Sequence, residues 1–150
     1  MKLIPLTKGK FTKVDDADFE SLSQTKWCIT AGYASCRCSG KIIYLHRLLC
    51  NTPKGVETDH INGDKLDNQR VNLRTCTHAQ NARSQNKQVC NTSGYKGVVR
   101  LPYAHTKWEA KITVNKKCIH LGHFVEILDA ARAYDVAARK YFGAFAKTNF

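Results

Sequence analysis

The stretch from Thr58 to Gln88 limits what this chain can fold into more than any other. A short strand-like segment, Val56–Ile61, is followed by a turn signal at Asn62–Asp64. Further polar residues lead to Thr77–Gln80, whose Thr-x-x-Gln pattern is a capping box and predicts a helix that ends at about Asn86. We therefore expect a compact unit of two short strands and one helix here.

Three side chains of that unit suit the hydrolysis of a phosphodiester bond, which needs a base for water and a cation for the phosphate oxygens. Asp59 on the first strand and Asn81 on the helix offer hard oxygen ligands, which Mg²⁺ and Mn²⁺ accept more readily than zinc does. His60 can accept a proton near neutral pH. Because neighbours on an extended strand point to opposite sides, we expect a bend or bulge that turns Asp59 and His60 towards one site.

The spacing of these residues follows a known pattern, since Asn72 and Asn81 stand twelve and twenty-one residues after His60. The stretch resembles the HNH (ββα-metal) endonucleases, particularly the homing-endonuclease branch found in phage introns and as free-standing phage genes. The resemblance implies that Asp59 and Asn81 hold one divalent ion, that His60 activates water, and that Asn72 braces the loop that orients His60. Because Asn81 stands where many HNH enzymes have histidine, it favours Mg²⁺, or Mn²⁺, over a transition metal.

The same resemblance implies a metal-dependent endonuclease that hydrolyses double-stranded DNA and leaves 5′-phosphate and 3′-hydroxyl ends. One ββα-metal site acts on one strand at a time, so we expect a monomer to nick. The alternative is a non-catalytic, sequence-specific DNA-binding protein with a degenerate site. Three basic residues near the motif are predicted phosphate contacts, namely Arg70, Arg74 and Arg83.

The charge of the chain favours a nucleic acid partner, because 24 Lys and Arg against 12 Asp and Glu give a net charge of +12 at pH 7. The excess is concentrated between Lys96 and His120, where Glu109 is the single acidic residue. We expect this patch to bind DNA phosphates, which gives affinity and salt dependence without sequence choice. Its basic residues are Lys96, Arg100, Lys107, Lys111, Lys116 and Lys117.

The last segment of the chain reads as a sheet and one helix. We predict strands over 95–101, 107–114 and 117–122, and a helix over 127–142 that Gly143 ends. Ala131, Tyr134 and Ala138 recur at helical spacing, and the alanines let the helix lie close to the sheet. The basic residues between Lys96 and His120 fall in the predicted strands and their connections, so the charged patch belongs to the sheet. We expect the face of the sheet opposite the helix to contact DNA.

This segment resembles the ethylene-response-factor (APETALA-two) DNA-binding domain over essentially its whole length. The resemblance rests on the motifs Tyr95-Lys96-Gly97-Val98, Trp108-Glu109-Ala110-Lys111-Ile112, Leu121-Gly122-His123-Phe124 and Ala130-Ala131-Arg132-Ala133-Tyr134-Asp135. It implies that a three-stranded sheet enters the major groove, with DNA-facing positions at Lys96, Lys111, Thr113 and His120. Val99 and Leu101 stand where plant members have arginines, so base readout from the first strand should be poorer.

We therefore predict an α+β protein with three regions: 1–50, a β-rich region packing on the nuclease core; 51–90, the ββα-metal core; and 91–150, the APETALA-type domain. Within the first region, Phe11–Val14 and Ile42–Leu49 are predicted strands. Residues 15–22 are a predicted helical turn. We interpret His46, in an apolar segment, as a structural residue.

Neither a membrane span nor an obligatory protein partner is evident in the sequence, so we expect a cytoplasmic protein, in the host cell if it is phage-encoded. The seven cysteines are an odd number, and a reducing compartment disfavours disulfides between them. Because no Cys-x-x-Cys pair occurs, we do not expect a structural zinc site.

Overall fold

The computed structural model describes residues 1–85, 87, 90–102 and 107–150. The chain divides into two compact units, Met1–Asn81 and Ala82–Phe150. Helices and strands are present in both units, which confirms the α+β prediction. Within the described ranges, no helix is both long and apolar enough to span a bilayer.

The first unit begins with two small antiparallel sheets. Its elements are, in chain order, β1 (Lys2–Pro5), β2 (Phe11–Val14), α1 (Asp16–Ser23), β3 (Cys28–Thr30), β4 (Tyr33–Cys38), β5 (Lys41–Tyr44) and α2 (Leu45–Leu49). Strand β1 pairs with β2, and β4 lies between β3 and β5. The core beneath them includes Val14, Trp27 and Leu45, each at most 3% exposed. The predicted strand at Phe11–Val14 is therefore confirmed.

The prediction of one strand over Ile42–Leu49 is wrong in its second half. The strand ends at Tyr44, and Leu45–Leu49 forms helix α2. The buried residues of this segment are Leu45, His46 and Leu49, and the two residues between His46 and Leu49 are not buried. His46 and Leu49 stand one and four positions after Leu45, and residues at these positions lie on one side of a helix. Packing of this short apolar helix against the core thus overrides the β propensity of the run.

The second half of this unit is a hairpin followed by a helix, as the sequence predicted. Strand β6 (Glu57–His60) pairs antiparallel with β7 (Leu73–Cys76), and helix α3 spans His78–Ser84. The capping box is present: the Thr77 amide donates to Gln80 Oε1 at 2.9 Å, and the Gln80 amide donates to Thr77 Oγ1 at 3.3 Å. The predicted helix end at Asn86 lies outside the described residues.

The long connection between β6 and β7 docks on strand β2. The Lys13 amide donates to the Leu66 carbonyl at 2.8 Å, and the Asn68 amide donates to the Lys13 carbonyl at 2.9 Å. Lys13 and Asp67 thereby form an isolated parallel bridge. The conformation of this loop consequently depends on a strand more than fifty residues earlier in the chain.

The second unit is a three-stranded sheet that packs on one helix. Its elements are β8 (Val98–Arg100), β9 (Trp108–Val114), β10 (Lys117–Phe124) and α4 (Ile127–Phe142). Strand β9 is central, and both pairings are antiparallel. Ala130, Ala131 and Ala138 have no exposed surface, so the alanines do bring α4 close to the sheet. The predicted helix over 127–142 is confirmed, and Gly143 ends it with φ of +53°.

Strand β8 begins later than predicted because Gly97 bends the chain before it. Gly97 has φ of +75°, and its carbonyl accepts a hydrogen bond from the Lys111 amide at 2.9 Å. A Cβ atom at this position would overlap the ring of Tyr134, which is 4% exposed beneath it. Only glycine therefore fits both the backbone angle and the available space.

Candidate functional site

The β6/β7 hairpin is regular, so the bend or bulge that we expected at Asp59 and His60 is wrong for this strand. Residues Glu57 to His60 all pair with β7 in an unbroken register. Asp59 and His60 consequently lie on opposite faces. His60 is the last residue of β6, and the chain turns directly after it, with the Gly63 amide donating to the His60 carbonyl at 2.9 Å.

His60 is held by a chain of buried hydrogen bonds that reaches β2. Its Nε2 lies 3.2 Å from Asn68 Oδ1, Asn68 Nδ2 donates to Thr12 Oγ1 at 2.7 Å, and Thr12 Oγ1 donates to the Leu66 carbonyl at 2.8 Å. The Leu66 carbonyl can only accept, so the Thr12 hydroxyl donates to it and accepts from Asn68 Nδ2. Asn68 Oδ1 is then the acceptor that faces His60 Nε2. His60 therefore carries its proton on Nε2, and Nδ1 is the nitrogen that can accept another.

Sequence reasoning missed Asn68, the hydrogen-bond partner of His60, and Thr12, the partner of Asn68. Asn68 and Thr12 are 1% and 0% exposed. Asn68 stands in a polar loop among similar residues, and Thr12 is 56 residues away from it in the sequence. A buried asparagine inside a polar loop was the available signal, but nothing in the sequence linked it to Thr12.

Asn72 braces the turn that follows His60. Its Oδ1 accepts a hydrogen bond from the Asn62 amide at 3.0 Å, and its Nδ2 donates to Asn62 Oδ1 at 3.0 Å and to the Asp67 carbonyl at 2.8 Å. The backbone carbonyl of Asn72 also accepts from the Ile61 amide at 2.9 Å. One buried side chain thus ties together both ends of the loop.

Asp59 forms an ion pair with Arg74, its neighbour across the hairpin. Arg74 donates to Asp59 Oδ2 through Nη2 at 2.6 Å and through Nε at 2.9 Å. Both side chains are largely buried, with 12% of Asp59 and 18% of Arg74 exposed. Arg74, a predicted phosphate contact, therefore contacts the predicted metal ligand instead of standing alone on the surface.

Asn81 is positioned by Glu57, a residue that sequence reasoning did not consider. Asn81 Nδ2 donates to Glu57 Oε2 at 2.6 Å, and His78 Nδ1 lies 2.8 Å from Glu57 Oε1. The hydrogen bonds from Asn81 and His78 hold the pKa of Glu57 below its usual value. Because Glu57 and Asp59 share one face of β6, this contact ties the helix to the face that carries Asp59. Glu57, Asp59 and Asn81 each offer oxygen atoms of the type that a hard divalent ion accepts.

The opposite face of β6 carries a cluster of aromatic rings around His60. The His46 and His60 ring centroids are 5.2 Å apart, and Tyr33 lies 4.9 Å from His46. Burial, reinforced by the proximity of His60, lowers the pKa of His46 to about 4. His46 Nδ1 is buried and has no hydrogen-bond partner among the described residues. Burial also lowers the pKa of His60, against the opposing effect of its bond to Asn68.

His46 also lines a shallow cleft of about 270 Å³ on the first unit. The other lining residues are Tyr33, Tyr44, Arg47, Glu57, Thr58 and Asn81. His46, Asn81 and Glu57 therefore line the same cleft. His46 packs against the face of β6 that carries His60, whereas Glu57 lies on the face that carries Asp59. The sequence interpretation of His46 as structural agrees with its burial, but the residue also borders the predicted site.

Three of the predicted DNA contacts are engaged within their own unit. Arg70 donates to both oxygens of Asp18 at 2.8 Å. Arg83 lies over the Phe142 ring, with the guanidinium carbon 5.0 Å from the centroid. Lys96 is half-buried, and its Nζ donates to the Arg83 and Gln85 carbonyls at 2.8 and 2.6 Å. These contacts hold all three cations in fixed positions.

The sheet of the second unit has one face on α4 and one face away from it. Ala110 and Ile112 pack towards α4, so alternation along β9 directs Lys111 and Thr113 outward. His120 pairs with Lys111 across the sheet and is therefore on the same outer face. The remaining predicted contacts, which are exposed at the strand ends and in the β9–β10 turn, are Arg100, Lys107, Lys116 and Lys117.

Comparison with known proteins finds two kinds of similarity. A family model described as HNH endonuclease matches residues 44–83. A protein of Acanthamoeba polyphaga mimivirus, described as an uncharacterized HNH endonuclease, is 30% identical over 149 residues, which cover 95% of this chain and 76% of that protein.

Two plant proteins are similar over a shorter part of the chain. An AP2/ERF and B3 domain-containing protein of Oryza sativa subsp. japonica is 48% identical over 59 residues, or 39% of this chain and 16% of that protein. An ethylene-responsive transcription factor of Arabidopsis thaliana is 46% identical over 66 residues, or 43% of this chain and 25% of that protein. The match thus spans a quarter or less of each plant protein.

Proposed function

The chain belongs to the HNH endonuclease family, and from that premise we propose that it is a homing-type endonuclease that nicks double-stranded DNA as a monomer. The observation that carries the proposal is the chain of buried hydrogen bonds from Leu66 through Thr12 and Asn68 to His60. An imidazole fixed in one tautomer by buried partners is the arrangement that a general base requires.

In this proposal His60 removes the proton from the attacking water. Because Asp59 lies on the opposite face of β6, that water must lie at the end of the strand, where His60 is the last residue. His60 Nε2 is committed to Asn68, so Nδ1 is the atom that accepts the proton. Asn68 holds the ring orientation and continues to accept the Nε2 hydrogen bond when the imidazolium forms. Asn72 is a positioning residue, because it fixes the turn that directly follows His60.

Asp59 and Asn81 are the proposed ligands of one divalent ion, Mg²⁺ or Mn²⁺. Their oxygens, with Glu57 beside them, fit a hard cation in type and charge. Glu57 accepts a hydrogen bond from the Asn81 nitrogen and so directs which amide atom can serve as a ligand. When bound, such an ion neutralises charge on the phosphate and on the leaving oxygen. Arg74 fixes the Asp59 carboxylate in place from across the hairpin.

Affinity for DNA is assigned to the second unit. The outward residues of its sheet, Lys111, Thr113 and His120, match positions of the APETALA-type pattern. One plant relative is described as an AP2/ERF and B3 domain-containing protein, and another as an ethylene-responsive transcription factor. Lysines at the exposed strand ends add contacts to phosphate. Since one ββα-metal centre serves one strand, the expected product of a monomer is a nick.

A second candidate, a DNA-binding protein without catalysis, is favoured by one observation. Arg74 donates twice to a single oxygen of Asp59, so a divalent ion must share that carboxylate with a guanidinium. A carboxylate neutralised in this way is a weaker ligand than one that lacks a cationic partner.

The two candidates are separated by incubating supercoiled plasmid with the protein and either Mg²⁺, Mn²⁺ or EDTA. We expect nicked circles with metal and none with EDTA. His60→Ala should lower the rate by roughly 10²–10⁴-fold. Binding of the same plasmid, measured by gel shift, should be unchanged, which separates a catalytic defect from a folding defect.

Chemical rescue provides the matched control for the buried histidine. Removing the His60 side chain leaves a cavity beside Asn68, and added imidazole should restore part of the cleavage by His60→Ala. Asn68→Ala, which removes the orienting group, should be rescued far less. Equal cutting by wild type and His60→Ala would remove His60 from the mechanism, and binding without any cutting would support the second candidate.

A further inference from the structure

Strand β10 contains a bulge that changes which of its residues share a face. His120 pairs with Lys111, but the register then shifts, so that Gly122 pairs with Ala110 and His123 with Glu109. In a regular strand, residues three apart point to opposite faces. The extra residue in the bulge brings His120 and His123 to the same outer face, and Gly122 supplies the necessary φ of +137°.

The bulge creates a cluster of three side chains that bind metals. Glu109 Oε1 lies 3.1 Å from His120 Nδ1, and the His120 and His123 ring centroids are 4.5 Å apart. One ligand atom from each of Glu109, His120 and His123 lies within 4.8 Å of the others. Both histidines are exposed, so a dissolved ion can reach all three residues.

From this cluster we propose that Glu109, His120 and His123 form a binding site for a divalent transition metal, of which Zn²⁺ is the best match. Two imidazoles and one carboxylate are a ligand set that zinc accepts, leaving a fourth position for water or another ligand. The chemistry differs from that of the Asp59 and Asn81 pair, whose oxygens favour Mg²⁺.

The geometry needs only small movements to close around an ion. Ligand atoms around a tetrahedral zinc are roughly 3.3 Å apart, given bond lengths of about 2.0–2.1 Å. The Glu109 and His120 atoms already meet this separation. His123 reaches it by rotation of an exposed ring. The competing contact, Lys111 Nζ at 3.5 Å from Glu109 Oε2, is an exposed ion pair of small stability.

The site uses none of the proposed catalytic residues, but it shares His120 with the proposed DNA-binding face, so zinc binding is measured without DNA. Its ligands are not thiolates, so the absence of a Cys-x-x-Cys pair does not bear on it. Without the bulge, alternation along β10 would place His120 and His123 on opposite faces. The bulge is therefore the observation on which the inference depends.

The test is calorimetric titration of the full-length protein with Zn²⁺, in excess Mg²⁺ and with a non-thiol reductant that keeps the cysteines reduced. We expect one Zn²⁺ site. His123→Gln and Glu109→Gln should each lower its zinc affinity by at least roughly 10–100-fold, which is the loss caused by removing a residue that only supports a metal ligand. Cys118→Ser is the matched control on the same face, and it should bind Zn²⁺ as the wild type does.

Substitution by Co²⁺ gives a readout that does not depend on affinity. Wild type should develop d–d absorption without a thiolate charge-transfer band, and His123→Gln should lose that absorption. Amide proton spectra of each variant should match wild type without metal, which shows that the fold is retained. Zinc binding of equal strength in His123→Gln, a thiolate band in the Co²⁺ spectrum, or no zinc binding by the wild type would each overturn the proposal.

Discussion

The two units of this protein place their proposed functional side chains in opposite ways. In the first unit, His60 is buried and depends on Asn68 and Thr12, which are distant in sequence. In the second, Lys111 and Thr113 are presented outward by simple alternation along one strand. A proton acceptor needs one tautomer and one orientation, whereas phosphate attraction tolerates mobile side chains. The proposed general base therefore depends on contacts with residues distant in the sequence, whereas the proposed phosphate contacts depend only on the strand that carries them.

The supporting energetics differ in the same sense. Loss of a hydrogen bond around His60 in the first unit should be costly, because each unpaired buried donor or acceptor costs about 1–3 kcal/mol. The core of the second unit consists mostly of alanines packed closely against a sheet, with Asp135 as a buried carboxylate that accepts hydrogen bonds from Asn149 and Phe150. Substitutions in the first unit should therefore damage catalysis through hydrogen bonds, and substitutions in the second should damage binding through packing.

Among substitutions of the supporting residues, Thr12→Val should have the largest effect. Valine has the shape of threonine but cannot accept from Asn68 Nδ2, so the amide loses the partner that fixes its orientation towards His60. We expect the cleavage rate to fall by roughly 10²-fold or more, with DNA affinity unchanged. The measurement is single-turnover cleavage with a parallel gel shift.

Thr12→Ser is the control for this prediction, because serine keeps the hydroxyl and removes only a methyl group. It should retain most of the activity. A Thr12→Val protein that cleaves at the wild-type rate would mean that the Asn68 amide does not need this partner, and the contrast between the two units would lose its main support.

Gly97→Ala should have the largest effect on the second unit. The added Cβ overlaps the Tyr134 ring and must adopt φ of +75°, so strain and overpacking together should cost about 2–5 kcal/mol. Hydrogen exchange of the β9 amides should accelerate and DNA affinity should fall, while exchange in β6 and β7 stays as in the wild type. Unchanged exchange in β9 would show that Tyr134 moves aside without cost.

Much of the fold was predictable where the signal was local. The capping box at Thr77 and Gln80 located the start of α3, and Gly143 located the end of α4, because both depend on residues a few positions apart. The strand at Ile42–Leu49 failed in its second half because burial of one helical face in the core outweighed its local propensity. Propensity is a weak predictor when tertiary packing opposes it.

The sequence proposes the central residues of the site but not the contacts that support them. The spacing of the HNH pattern indicates Asp59, His60, Asn72 and Asn81, and these roles stay predictions, whereas the contact of Glu57 with Asn81 became visible only in the structure. The bulge in β10 had no sequence signal beyond Gly122, so the convergence of His120 and His123 required the pairing register. Long-range pairing and register are the information that one sequence lacks.

A third prediction concerns pH and the first unit alone. Burial lowers the pKa of His46 to about 4, so the unfolded chain takes up a proton below pH 6.5 before the folded chain does. Unfolding free energy should therefore decline from pH 6.5 to about 4, with His46 contributing about 3 kcal/mol of the decline. Above pH 6.5 this contribution is fully retained. Denaturant titration in EDTA, followed by Trp27 fluorescence in a Trp108→Phe background, reports on this unit.

His46→Gln isolates that contribution, because glutamine keeps a polar side chain that does not titrate. Its stability should vary less between pH 6.5 and 4, while the remaining decline reflects His60, whose pKa burial also lowers, and carboxylates such as Glu57, whose pKa hydrogen bonds lower. If the two proteins show parallel pH profiles, then His46 titrates normally and is not buried as a neutral ring.

The smallest expected effect tests the exposed lysines of the second unit. Lys116 and Lys117 lie in and beside the β9–β10 turn, and within the described part of the chain neither ammonium group has a hydrogen-bond partner, in contrast to Lys96. Replacing either by alanine should weaken binding to all DNA sequences alike and lower the slope of log affinity against log salt by about 1. Lys140→Ala, on helix α4, is the matched control and should leave the slope unchanged. If the slope falls equally in all three variants, then DNA contacts are not confined to the sheet. The positive charge of this unit would then attract DNA from several faces and not through one binding surface.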